Sequence, residues 1–124
     1  MTVQELYSHI DGDYDAALKI MMMDQLIGRM IVKLKDDPSC PRLLAAEESM
    51  DAQALFEAAH ALKGVAANLG LTKLSALAGG ITEEYRPGNP RRMTENQVKE
   101  KLSEIRILYE KTLAGIQAYE AAKK

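Results

Sequence analysis

Residues 51–70 read DAQALFEAAHALKGVAANLG, a helical stretch that carries one histidine and, four positions on, a glycine. An α-helix turns about 100° per residue, so Leu55, Ala59, Leu62, Ala66 and Leu69 fall within about 80° of one another and must face a core. A histidine among alanines and leucines is ordinarily a satisfied core residue. The wheel puts His60 on the opposite side, sharing an outer face with Gln53, Phe56, Glu57, Lys63, Gly64 and Ala67. Gly64 is costly there, because glycine inside a helix is less stable than alanine by about 0.5–1 kcal/mol. Close helix packing would justify a glycine on the core side, but not one beside an exposed histidine.

The rest of the chain is written in the same helical language. Thr2 and Glu5 have the capping-box form and open a short helix that stops near Asp11 and Gly12. Asp13 caps a long second helix through YDAALKIMMMDQLIGRMIVKLK, with Tyr14, Ala17, Leu18, Met21, Gln25, Ile27, Ile31 and Leu34 as its apolar side. The prolines of DDPSCPR break it, and a short helix RLLAAEES follows. Ser49 or Asp51 caps the histidine helix, and Gly70 ends it by taking the left-handed conformation. Thr72 caps KLSALAGGITEEYR, RPGNPRR is the clearest loop, and Thr94 with Gln97 forms a second capping box. Val98, Leu102, Ile105, Tyr109, Leu113 and Ile116 then make a one-sided stripe to the C-terminus.

A chain of 124 residues with 47% apolar content and few aromatics suits one helical domain over residues 1–124. Four sizeable helices, each with one apolar face and short connections, predict an all-α antiparallel up-and-down four-helix bundle, with the short N-terminal helix as an accessory lid. The net charge of −2 and the lack of a basic block argue against nucleic acid or an anionic membrane as partner. Cys40 is alone, and His9, Cys40 and His60 lie too far apart for a zinc-site spacing. The acidic N-terminus is no signal peptide and no window is apolar enough to span a membrane, so a cytoplasmic protein is expected.

An exposed imidazole is largely neutral around physiological pH and keeps one ring nitrogen's lone pair free, which makes His60 a competent nucleophile. Lys63, one turn on, disfavours the protonated ring and is placed to pair with an oxyanion delivered to it. Gly64 strips the side chain from the neighbouring turn, so a phosphoryl group and the bulky protein bearing it meet no β-carbon on approach. No phosphate-cradling glycine loop and no kinase-like lysine, aspartate and asparagine set accompanies them.

The spacing His60-x-x-Lys63-Gly64 followed by Gly70, in HALKGVAANLG, resembles the signature of histidine-containing phosphotransfer (HPt) domains, the phosphorelay modules of two-component signalling. The likeness runs from Leu55 and Phe56 through LTKLSALAGGITEEYRPG, and the expected helix order matches the family's. It implies that His60 accepts a phosphoryl group from an aspartate on one receiver domain and passes it to another, with Lys63 supporting the group and Gly64 keeping the approach open. Gly70 then serves the backbone at the helix end, and Asn68 stands at a commonly polar position. Response-regulator receivers and a hybrid sensor histidine kinase are the implied partners of a monomer. No intrinsic cofactor is implied, and Mg²⁺ belongs to the receiver's acidic site.

Docking is expected around His60, on Gln53, Phe56, Ala67 and part of the methionine-rich second helix, where Met21, Met22 and Met23 cannot all face inward. Tyr85, Arg86, Arg91 and Arg92 read as a solvated loop able to steer an acidic receiver. Glu83 or Glu84 meets the family's late acidic position, whereas Gly79 and Gly80 have no counterpart and suggest a bend or a close helix approach. Two other functions fit the same residues: a helical adaptor that binds receivers without transfer, and the phosphoacceptor piece of a larger histidine kinase. Against the latter, a chain running from Met1 to AAKK reads as complete.

Overall fold

The computed structural model describes residues 1–123, which are helical with no strand among them. The helices are α1 (Val3–His9), α2 (Tyr14–Met21), α3 (Asp24–Val32), α4 (Ser39–Ala45), α5 (Ala52–Asn68), α6 (Thr72–Tyr85) and α7 (Glu95–Ala122). A 3₁₀ turn over Lys33–Asp36 extends α3. α5 packs on α2, α4 and α6, and α7 closes the bundle against α1, α3, α4 and α6.

Both capping boxes form. Thr2 Oγ1 accepts from the Glu5 amide while the Glu5 carboxylate accepts from the Thr2 amide, at 3.1 and 2.9 Å. Thr94 and Gln97 repeat the exchange at 3.1 and 2.8 Å. Asp13 and Asp51 cap α2 and α5 through their carboxylates. Thr72 does not cap α6: the preceding Leu71, whose side chain has no hydrogen-bonding atom, holds the cap position, and its amide is drawn back onto the Ala66 carbonyl at 2.8 Å. The turn out of α5 thus runs into α6 with no residue to spare.

The expected long second helix is two helices. Met22 takes a left-handed conformation, φ 67°, and its amide closes onto the Leu18 carbonyl. Ile27, Ile31 and Leu34 of the expected stripe are buried all the same, while Gln25, placed on that stripe, goes to solvent. Tyr14 Oη donates to Asp24 Oδ1 at 2.6 Å across the break. A straight helix, about 15 Å long over ten residues, would hold that pair apart. Neither glycine nor proline marks the spot, which is why the sequence pattern misses it.

The short helix after the prolines starts earlier than expected, at Ser39, because Pro41 sits in its first turn, where a missing amide donor costs nothing. It also ends earlier, at Ala45. α1 is no lid. Leu6 and Tyr7 are fully buried, with Val3 and Ile10 beside them. A methyl group on Gly115 of α7 would collide with Ile10, so the glycine is what lets α1 seat against α7. On α7 the expected stripe is buried except Leu113, which is half-buried, and Thr112 takes an inward position with its hydroxyl on the Leu108 carbonyl.

The turn after α5 joins three elements. Gly70, φ +71°, and Leu71 bond back to Ala67 and Ala66 in a Schellman motif. The buried Tyr7 hydroxyl donates to the Leu69 carbonyl at 2.6 Å, and the Asp13 amide donates to the Gly70 carbonyl at 2.8 Å. Among the described residues no helix is long and apolar enough to cross a membrane.

Tyr7→Phe leaves the Leu69 carbonyl buried without its donor and should lower stability by about 1–3 kcal/mol, read from the urea midpoint. Cys40 is 1% exposed and burial pushes its thiol up to about 12. The native protein should therefore resist iodoacetamide at about pH 8, where an unfolded thiol near its ordinary pKa reacts.

Candidate functional site

The core arc expected of α5 is buried: Leu55, Ala59, Leu62 and Ala66, with Leu69 at the helix end. Opposite it, His60, Lys63, Gly64, Ala67 and Asn68 are all exposed on one face. A methyl group built on Gly64 would meet no atom within 4 Å. The glycine therefore does not serve packing inside this chain, and the space above it is open to whatever approaches His60.

Phe56, one turn before His60, is half-buried and lies nearly parallel to the imidazole, ring centroids 5.8 Å apart with 13° between planes. Offset stacking of this kind limits the orientations of the imidazole. Gln53, a further turn back, is exposed and donates to Glu57 at 2.6 Å. Gly70 lies apart from this face. It is buried in the turn against the Asp13 carbonyl and Ala17, and its part is backbone geometry.

α6 supplies the flank of the site. Ser75 donates its hydroxyl to the Lys63 carbonyl at 3.1 Å, linking α6 to the turn of α5 that carries the lysine and Gly64. Gly79 and Gly80 neither interrupt α6 nor admit another backbone. A methyl on Gly79 would lie 3.6 Å from Lys63 Cδ, and one on Gly80 would lie 3.9 Å from Lys101 Cδ, both ordinary contacts. The bare surface at Gly79 thus carries the stem of Lys63 against α6. One turn on, Glu83 is exposed and pairs with Arg86, Nη2 to Oε2 at 2.8 Å. That hydrogen bond holds the Glu83 carboxyl below its usual range, and the charges of Arg86, Lys63 and His60 act in the same direction.

Of the two acids at the end of α6, Glu84 has a different task. It is 5% exposed and accepts from the amides of Arg92 and Met93 at 3.0 and 3.1 Å, which fastens the loop after α6. Arg91 donates to the Glu84 carbonyl at 2.7 Å and lies 4.5 Å over the Tyr85 ring. The loop expected to be solvated is therefore pinned at its base, with Arg91 already engaged. Sequence reading left Glu83 and Glu84 interchangeable, and the i,i+3 spacing of Glu83 and Arg86 was the available sign of their pairing.

A second surface adjoins the histidine face. Met21, Leu26, Met30, Val65, Asn68 and Leu69 line an apolar groove of about 500 Å³ between α5 and the α2–α3 break. Met22 and Met23 are 79% and 54% exposed beside it, as expected for methionines that cannot all point inward. His9 is exposed on α1. Among the described residues no group of three or more His, Cys, Asp or Glu side chains is placed to hold a metal ion.

Comparison with protein families finds that the Hpt domain model matches residues 20–111, which takes in α3 to α6 whole and much of α7. Searches of curated proteins and of solved structures gave no match. The family match covers most of the chain and centres on the helix that bears His60, and so this protein belongs to the Hpt domain family, whose members act in histidine phosphotransfer within phosphorelays and interact with receiver domains.

Proposed function

We propose that His60 is the phosphoacceptor, taking a phosphoryl group from the aspartyl phosphate of one receiver domain and passing it to an aspartate on another. A hybrid sensor histidine kinase would supply the first receiver and a response regulator the second. The observation that carries this reading is the exposed imidazole opposite the core arc, with open space over Gly64 on the next turn.

In the forward step a ring nitrogen of His60 attacks phosphorus, a P–N bond forms, and the P–O bond to the receiver carboxylate breaks with its electron pair leaving on oxygen. The other ring nitrogen gives its proton to solvent as the ring becomes neutral again. Such transfers depend on positioning and on charge around a loose transition state. Phe56 orients the ring, and Lys63, its stem braced on α6 at Gly79, offers a cation to the moving group. Mg²⁺ and the remaining acidic groups are assigned to the receiver. Gln53, Phe56, Ala67 and Asn68 form the docking face proposed around His60, continued by the groove at Met21 and Leu26.

The test mixes the protein with a panel of phosphorylated receivers and follows the label. Wild type should gain an acid-labile, base-stable phosphate located on His60 by mass spectrometry, and His60→Gln should gain none. Label on His60→Gln, or no charging by any receiver, would refute the carrier reading. Binding without label, equally tight in His60→Ala, would mark an adaptor.

Gly64→Ala separates access from packing. The variant should be as stable as wild type or more so by about 0.5–1 kcal/mol, yet transfer the phosphoryl group more slowly in a rapid-quench assay. Slower transfer accompanied by lost stability would return the glycine to a packing role.

A further inference from the structure

Phe56 packs against two polar groups at once. One is the His60 imidazole, stacked at 5.8 Å, and the other is the Arg86 guanidinium, whose Cζ lies 5.4 Å from the Phe56 centroid. Arg86 is the last residue of α6's trajectory before Pro87, which forces it out of the helical region, φ −60° and ψ 129°, and turns the chain away from the α6 axis. Its guanidinium is forked onto Glu83, Nη2 and Nε both on Oε2 at 2.8 and 3.0 Å. The Glu83 carboxylate thus brings a negative charge from α6 toward the histidine face, and it feels His60 and Lys63 as well as Arg86.

We infer that the Glu83–Arg86 pair is an exchangeable counterion for the phosphorylated site: while His60 is free Arg86 rests on Glu83, and when His60 carries a phosphoryl group Arg86 moves onto the phosphoryl oxygens. The inference rests on the reading of His60 as phosphoacceptor. Two physical points drive the exchange. A phosphoryl group adds up to about two negative charges and several acceptor oxygens, which repel Glu83 and suit a planar guanidinium fork better than a single carboxylate does. The existing pair is also cheap to break, because Arg86 and Glu83 are 40% and 55% exposed and surface pairs of this kind add little stability. The Phe56 ring keeps Arg86 beside the site during the exchange, since a guanidinium is attracted to an aromatic face whichever anion it serves. Arg86 is a positioning group for the phosphorylated state, and Glu83 sets how readily it is released.

Phosphoramidate serves as donor, so that only this chain's residues are read: its P–N bond breaks, ammonia leaves, and the P–N bond to His60 forms. After donor removal, loss of phosphohistidine is followed by ³¹P NMR in wild type, Arg86→Ala, Arg86→Lys and Glu83→Gln, and the Arg86 Nε–H signal is recorded before and after charging. Arg86→Ala should change the lifetime of the phosphohistidine by about threefold or more, shortening it, with Arg86→Lys restoring part of the loss. Glu83→Gln should lengthen the lifetime, and the Arg86 signal of wild type should shift on charging. An unmoved Arg86 signal, or an Arg86→Ala lifetime equal to that of wild type, overturns the exchange while leaving His60 as acceptor. Failure of wild type to take label at His60 overturns the carrier reading and this inference with it.

Discussion

The turn at Leu69, Gly70 and Leu71 is the constraint on which the rest depends. Gly70 adopts a left-handed conformation in contact with the Asp13 carbonyl and Ala17, where any side chain would both strain and collide. Through that turn the end of α5 is joined to α6 by its own amides, to α1 by the Tyr7 hydroxyl, and to the start of α2 by the Asp13 amide. The carbonyls that a helix C-terminus leaves unpaired are thereby used to assemble three neighbours. With the end of α5 held in this way, its rotation about its own axis is fixed, and so is the side on which His60 emerges.

The histidine face is then completed by what α6 brings to it. Ser75 anchors the Lys63 carbonyl, Gly79 makes room for the Lys63 stem, and Glu83 and Arg86 arrive on the following turns. These residues lie on one side of α6 because positions three and four apart share a face, while Leu74, Ala78 and Ile81 are buried on another. A single helix thus seals the core with one side and trims the electrostatics of the site with the other. Burial of Glu84 among backbone donors secures the loop after α6 and frees Glu83 for the exposed pairing.

Most of the site was legible in the sequence because it is local. His60, Lys63, Gly64, Ala67 and Phe56 lie within four turns of one helix, and helical geometry alone places them on one face. The capping boxes at Thr2 and Thr94 and the left-handed Gly70 were equally readable, since each depends on residues a few positions apart. The reading failed where the chain broke a helix without punctuation. Met22 adopts a left-handed conformation that nothing in its residue type announces, and what accompanies it is a contact across the break, Tyr14 Oη to Asp24, that periodicity does not encode.

By itself the sequence determined the helical class, the capped starts of α1, α2, α5 and α7 and the side on which His60 emerges, because all three follow from periodicity and short-range hydrogen bonding. Only the tertiary structure decided that α1 is part of the core, that Glu84 is buried while Glu83 is not, and that Arg86 lies over the Phe56 ring. Those outcomes rest on contacts between residues far apart in the chain, such as Tyr7 with Leu69 and Ile10 with Gly115. Local propensity carries no information about such pairs, since they exist only once the helices have packed.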